Sequence, residues 1–209
     1  MVSVSQRAGD QAPVSTQRHV SIDELAALNG EAAGLCAASR YAEAVPLLER
    51  ALEGCEAALG ARHVATLTVA GNLAVAQVAG GHRRAGMKRL AANLADRARL
   101  LGEEDPRTLS ARDALAVALR LAGDADQAVA ISTQVAEQRR RVLGATHPDT
   151  LTSRMGLALA LLAAADTERA MSVLTVAMND AEQALGPQHP HTLGLLECAS
   201  NIGLVRRDK

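Results

Sequence analysis

Four histidines are the first residues here whose type and spacing invite a chemical question. His63, His147 and His189 recur at multiples of one interval, and His191 follows the last of them. A zinc ion needs its nitrogen ligands converging at about 2 Å, whereas equivalent points on adjacent helical repeats stand about 8–10 Å apart. One ion cannot gather all three, and His189-Pro190-His191 offers at most an adventitious site. Cys36, Cys55 and Cys198 are too few and too scattered for a zinc module or a disulfide framework, and no signal-like stretch precedes them. That usage points to a reducing cytoplasm. No Ser, Cys or His stands in a phrase that would hold a base against a nucleophile. Gly80-Gly81 lacks the Lys-Ser or Lys-Thr of a phosphate loop. No catalytic residue, metal or cofactor is therefore assigned, and the chain reads as a non-enzyme.

Charge narrows the partners further. The 209 residues carry a formal charge of −1, so no global field draws the protein to nucleic acid or an anionic membrane. The longest apolar run, Met155 to Ala165, is bounded by Arg154 and Asp166 and falls short of the roughly 20 residues that cross a bilayer. Locally, Glu43, Glu49, Glu53 and Glu56 contrast with Arg83, Arg84, Lys88, Arg89, Arg97 and Arg99, and with Arg139-Arg140-Arg141. Without stacking aromatics such a basic stripe reads as a solvated convex face rather than a nucleic-acid site. Acidic and basic segments of this kind also suit self-association. Asp113 and Arg120 lie two helical turns apart, on one face. Mutual or solvent pairing is their simpler role, and polar anchoring of a ligand the functional one.

The elements that must position these residues emerge from self-comparison. LGARHVATL begins at Leu59, LGEEDPRTL at Leu101, LGATHPDTL at Leu143 and LGPQHPHTL at Leu185, a spacing of 42 residues each time. Periods of this size mark solenoids. Gly60, Gly102, Gly144 and Gly186 suit a left-handed closure of one helix, and Pro106, Pro148 and Pro190 suit the first turn of the next. His63, Asp105, His147 and His189 fall at or near the N-cap, where Asp is favoured and His tolerated. A second punctuation, at Ser39-Arg40, Gly80-Gly81, Gly123-Asp124 and Ala165-Asp166, makes each repeat a helical hairpin.

The spacing predicts helix pairs at 21–38 and 41–59, 64–79 and 83–101, 106–122 and 125–143, and 148–164 and 167–185. A single capping helix follows at 190–206. Residues 1–18 are polar and aperiodic and read as a mobile tail ahead of a solenoid over 19–209. Its repeats run 21–62, 63–104, 105–146 and 147–188, with a cap over 189–209. Aligned positions 32, 74, 116 and 158 are all alanine, which permits close helix approach, while Leu73, Leu115 and Leu157 fill space between helices. Glu31 breaks that leucine column in the first copy.

These features resemble tetratricopeptide repeats, in the 42-residue form of kinesin light chains and of many bacterial proteins. Asn72-Leu73-Ala74 matches the family's Asn-Leu-Ala core, and the likeness covers about 21–206. The resemblance implies an all-α, right-handed solenoid of four hairpins plus a cap, lacking the family's usual interior aromatics, since Tyr41 stands alone and Phe and Trp are absent. It also implies a groove lined by each hairpin's first helix. By alignment to the family, Asn29 and Cys36 face that groove, then Thr68, Gly71, Asn72, Val75 and Val78, then Asp113, Val117, Arg120 and Leu121, then Met155, Leu159 and Leu162, and finally Glu197 from the cap.

Asn72 stands where the family often has an asparagine that hydrogen-bonds a peptide backbone, but the aligned residues are Gly30, Ala114, Gly156 and Cys198. Basic residues that clamp a terminal carboxylate are missing from most groove columns, so recognition of chaperone tails is not expected. The implied function is a non-enzymatic scaffold or adaptor holding a protein or peptide segment in a largely apolar groove. The alternative is a groove repurposed to bind, and to transform, a small apolar molecule in a biosynthetic pathway.

Overall fold

The computed structural model describes residues 21–201, so the expected mobile tail and the last residues of the capping helix lie outside the described residues. Within them the chain forms nine α-helices: α1 (Ile22–Ala37), α2 (Tyr41–Leu59), α3 (Val64–Ala79), α4 (Arg83–Leu101), α5 (Pro106–Leu121), α6 (Ala125–Leu143), α7 (Pro148–Ala163), α8 (Thr167–Leu185) and α9 (Pro190–Asn201). Each differs by no more than a residue or so from its expected span, apart from α9 at the edge of the described region.

The recurring loop phrase works as a set of caps. The Arg107 N–H donates to Asp105 Oδ1 over 2.8 Å at the start of α5. His63 and His147 do the same job, each ring Nδ1 accepting a backbone N–H two residues on, at 3.2 and 3.1 Å. Histidine here is a working cap, which places the proton of a neutral ring on Nε2. Thr66 and Thr192 tie the phrase shut by donating to the Gly60 and Gly186 carbonyls at 2.8 and 2.9 Å.

The glycines of the phrase differ from expectation in one respect. Gly60, Gly102, Gly144 and Gly186 have φ between 87° and 96° but ψ between 155° and 165°. That region is open essentially to glycine alone, and it is not the left-handed helical one. The left-handed position lies mid-hairpin instead, at Ser39 (φ 59°), Gly81, Gly123 and Ala165 (φ 62°). There a bond from three residues beyond the helix closes it, as from the Asp166 N–H to the Leu161 carbonyl at 2.9 Å.

Packing explains the curvature. Each helix touches its sequence neighbours, and first helices also touch first helices, α1 with α3, α3 with α5, α5 with α7 and α7 with α9. Second helices do not touch one another. The first helices are therefore drawn together on the inner, concave side and the second helices splay on the outer one. Buried alanines at 32, 74, 116 and 158 allow the approach. Leu48, Leu90 and Leu174 are sealed inside as an equivalent column, but the fourth member of that column is Ser132.

Candidate groove on the concave face

The leucine missing at position 132 leaves space. A partly enclosed cavity of ≈160 Å³ opens on the concave side between α5 and α7, with Ser132 of α6 beneath it. Ala116 and Val117 of α5 and Met155, Gly156, Leu159 and Ala160 of α7 make its walls, and Asp113, Arg120 and Thr152 add polar groups. Leucine occupies this depth in the other three hairpins and would fill it here; the small residues at 116, 156 and 160 enlarge it.

Asp113 and Arg120 share the cavity but do not pair. Asp113 instead meets Arg139 of α6 at 2.9 Å and accepts a 2.8 Å bond from the Ser153 hydroxyl. Burial raises its carboxyl above the ordinary aspartate value, outweighing the opposing pull of the Arg139 charge and the Ser153 bond. Arg139, 3% exposed, also donates to the Asp149 carbonyl at 2.8 Å, to Ser153 Oγ at 2.9 Å and to Ser110 Oγ at 2.8 Å. One guanidinium thus ties α6 to α5 and α7. Arg120 forms no ion pair among the described residues and stays half-exposed at the cavity wall.

Two of the basic residues read as an outer stripe are thereby corrected, while Arg83, Arg84, Lys88, Arg99, Arg140 and Arg141 are exposed as expected. Arg97 and Arg139 are core residues, Arg140 chelates Glu137 at 2.9 and 2.7 Å, and Arg141 reaches Glu104. Three consecutive arginines point to three different partners, because successive helical residues fan round the axis by about 100°.

Other expected groove residues divide. Val117, Met155 and Leu159 line the cavity, whereas Leu162 packs half-buried against the core formed by α7, α8 and α9. Leu121 is 41% exposed and Glu197 is exposed. Val78 is a core residue, 5% exposed, wedged against Gly86 of the paired helix rather than facing a ligand. Val75 is half-buried beside it. Asn72 donates to Asn29 Oδ1 at 2.9 Å, bridging α3 to α1, so its amide already has an intramolecular acceptor. Thr68 is exposed and accepts from Arg97. Cys36 sits half-buried against the core cluster of α1, α2 and α3 at the far end, with its thiol pKa pushed up by burial. Of the three residues a repurposed small-molecule pocket could use, Asp113 and Arg120 line this partly enclosed cavity and Cys36 does not.

The family model for the tetratricopeptide repeat matches residues 23–85 and 107–183, more than half of the chain. The chain belongs to the tetratricopeptide repeat family. Among solved structures it is similar to the nearly identical TPR-like repeats of a kinesin-light-chain-type protein from Podosopora anserina. That match has a TM-score of 0.64 and 26% identity, over 85% of this chain and 84% of that one. BtubC from P. vanneervenii, at a TM-score of 0.61 and 21% identity over 80% of this chain and 66% of that one, shares the fold. No curated protein matches.

As a tetratricopeptide repeat protein, the chain places its interaction surface on a scaffold of the kind that mediates contacts between proteins. Among the described residues no three His, Cys, Asp or Glu side chains gather as a metal site, and no helix is long and apolar enough to cross a membrane. Two features escaped the sequence reading, and both were legible in the repeat columns. Column 55, 97, 139, 181 reads Cys, Arg, Arg, Ala, and column 48, 90, 132, 174 reads Leu, Leu, Ser, Leu. A polar residue in an otherwise apolar column marks either an internal tie or an opening.

Proposed function

We propose that the protein is a non-enzymatic interaction module that holds a segment of a partner protein along its concave face, seating one apolar side chain between α5 and α7. The observation that carries this reading is the cavity over Ser132, walled by Val117, Met155 and Leu159. Its size suits a single large aliphatic or aromatic residue, and burying such a side chain is worth about 1.5–3 kcal/mol. Arg120 at its wall is available to a polar neighbour of that residue.

Peptides selected from a random-sequence display library on the folded chain test the reading by fluorescence anisotropy. Ser132→Leu refills the cavity and is expected to raise the melting temperature while weakening the selected peptides by about tenfold or more. Leu159→Asp does the same to binding, with circular dichroism verifying the fold. Unchanged affinity in both folded variants would sink the proposal.

A further inference from the structure

The charges on the outer helices are settled differently in the two halves of the solenoid. In the second half every arginine of α6 and α8 finds a carboxylate on its own chain: Arg139 pairs with Asp113, Arg140 with Glu137, Arg141 with Glu104 and Arg169 with Asp166. Of the bases on α4, only Arg99 does so among the described residues, with Asp96. Arg83, Arg84 and Lys88 of α4 are exposed without an ion pair there, and so are Glu49, Glu53 and Glu56 of α2. Arg50 is the one base among these acids, and α2 stays acidic on its outer side.

The two sets of opposite sign lie on one face. In the outer groove between α6 and α8, Thr133, Glu137 and Arg140 stand across from Ser172, Val173 and Val176. Two repeats earlier the same columns hold Glu49, Glu53 and Glu56 across from Lys88, Arg89 and Ala92. The first outer groove therefore has an acidic wall and a basic one. Its acidic wall is an open trough of ≈450 Å³ beside Pro46. Between Lys88 and Arg99 the exposed side of α4 is Ala91, Ala92 and Ala95, small enough for another helix to approach to about 8–10 Å.

We infer that this face docks a second copy of the chain, related by a two-fold axis that runs along the groove between α2 and α4. Such an axis lays the acidic α2 of each copy over the basic α4 of the other, so both contacts form twice and the assembly closes as a dimer. Every helix of the four then has neighbours of opposite sign. A copy displaced by one helix would set like charges together instead. The axis also keeps each residue at its own height, and α2 and α4 are both 19 residues long. Glu49 is thus level with Ala91 of the opposing α4, three residues or about 4.5 Å along the axis from Lys88. The concave face stays open, so the pairing is independent of the groove reading above.

Sedimentation velocity of the full chain is the test. The wild type is expected to be dimeric at about 0.1 mM in low salt. Its dissociation constant should rise about tenfold or more as salt goes from about 0.02 to about 0.5 M. Glu49→Lys with Glu53→Lys makes both helices basic, and Arg83→Glu with Arg84→Glu and Lys88→Glu makes both acidic. Each variant alone is expected to be monomeric, and an equimolar mixture of the two to form a one-to-one dimer. Circular dichroism verifies that both fold, since the changes are confined to exposed positions. A wild type that stays monomeric in low salt, assembles without limit or dimerises regardless of salt overturns the proposal. So does a mixture of folded variants that fails to pair, or a single variant that dimerises as the wild type does.

Discussion

Asp105 shows how one side chain sets both a cap and a pH dependence. It accepts the Arg107 N–H at the start of α5 and two guanidinium bonds from the same residue, both at 2.9 Å. The side-chain bond to Arg107 is the leading reason that its pKa falls from 3.8 to about 2. A carboxyl whose pKa is lower in the fold than in the unfolded chain stabilises the fold above the unfolded value. That contribution disappears as pH falls through the folded value. Asp105→Asn keeps a capping oxygen but no charge. Wild type is therefore expected to be more stable than Asp105→Asn at neutral pH, with the gap closing between pH 3.8 and about 2. Thermal melts of the two across that range check it, and a gap that survives at the acid end contradicts the assignment.

Among the elements, the α3–α4 hairpin is packed more tightly than its neighbours. Its crossing residue is Gly86, where the other hairpins have the buried alanines Ala44, Ala128 and Ala170. A Cβ on Gly86 would stand 2.5 Å from the Ala74 carbonyl oxygen and 2.9 Å from the Val78 nitrogen, backbone atoms that cannot swing aside. Gly86→Ala is expected to destabilise by about 1–3 kcal/mol in denaturant titration, although alanine is the better helix former. Gly30→Ala is its control. A Cβ there meets nothing within 4 Å, so the variant should gain about 0.5–1 kcal/mol. Two shifts of the same sign would show that propensity, not proximity, governs the hairpin.

At the scale of the whole molecule, contacts among the described residues never skip beyond an adjacent hairpin. Such a solenoid is close to one-dimensional, with stability assembled from repeats and nearest-neighbour interfaces. Damage should therefore stay local. Leu174→Ala empties a fully buried site in the core shared by α7, α8 and α9, at a cost of about 2–5 kcal/mol. Hydrogen exchange is expected to quicken in α7–α9 while α1–α4 keep their protection. Uniform acceleration along the chain would mean that the array unfolds as one unit. The proposed groove shares this logic, since its cavity is lined by α5, α6 and α7 alone and is open to mutation apart from the first two hairpins.

The sequence by itself determined the repeat, its 42-residue period, the helical hairpins and nearly every helix end. These follow from local chemistry. A proline at the first turn, a glycine at positive φ and a capping Asp or His act within a few residues of themselves, so their meaning is readable in one dimension. Of the groove, likeness to the family put Asp113, Val117, Arg120, Met155 and Leu159 among the groove-facing positions, and these residues line one cavity. Only the tertiary structure decided which charges are spent inside. Asp113 turned to Arg139 rather than Arg120, Val78 went into the core, and a serine in a leucine column became an opening. Each outcome depends on how closely a neighbouring helix approaches, a distance set by side chains about 40 residues away along the solenoid.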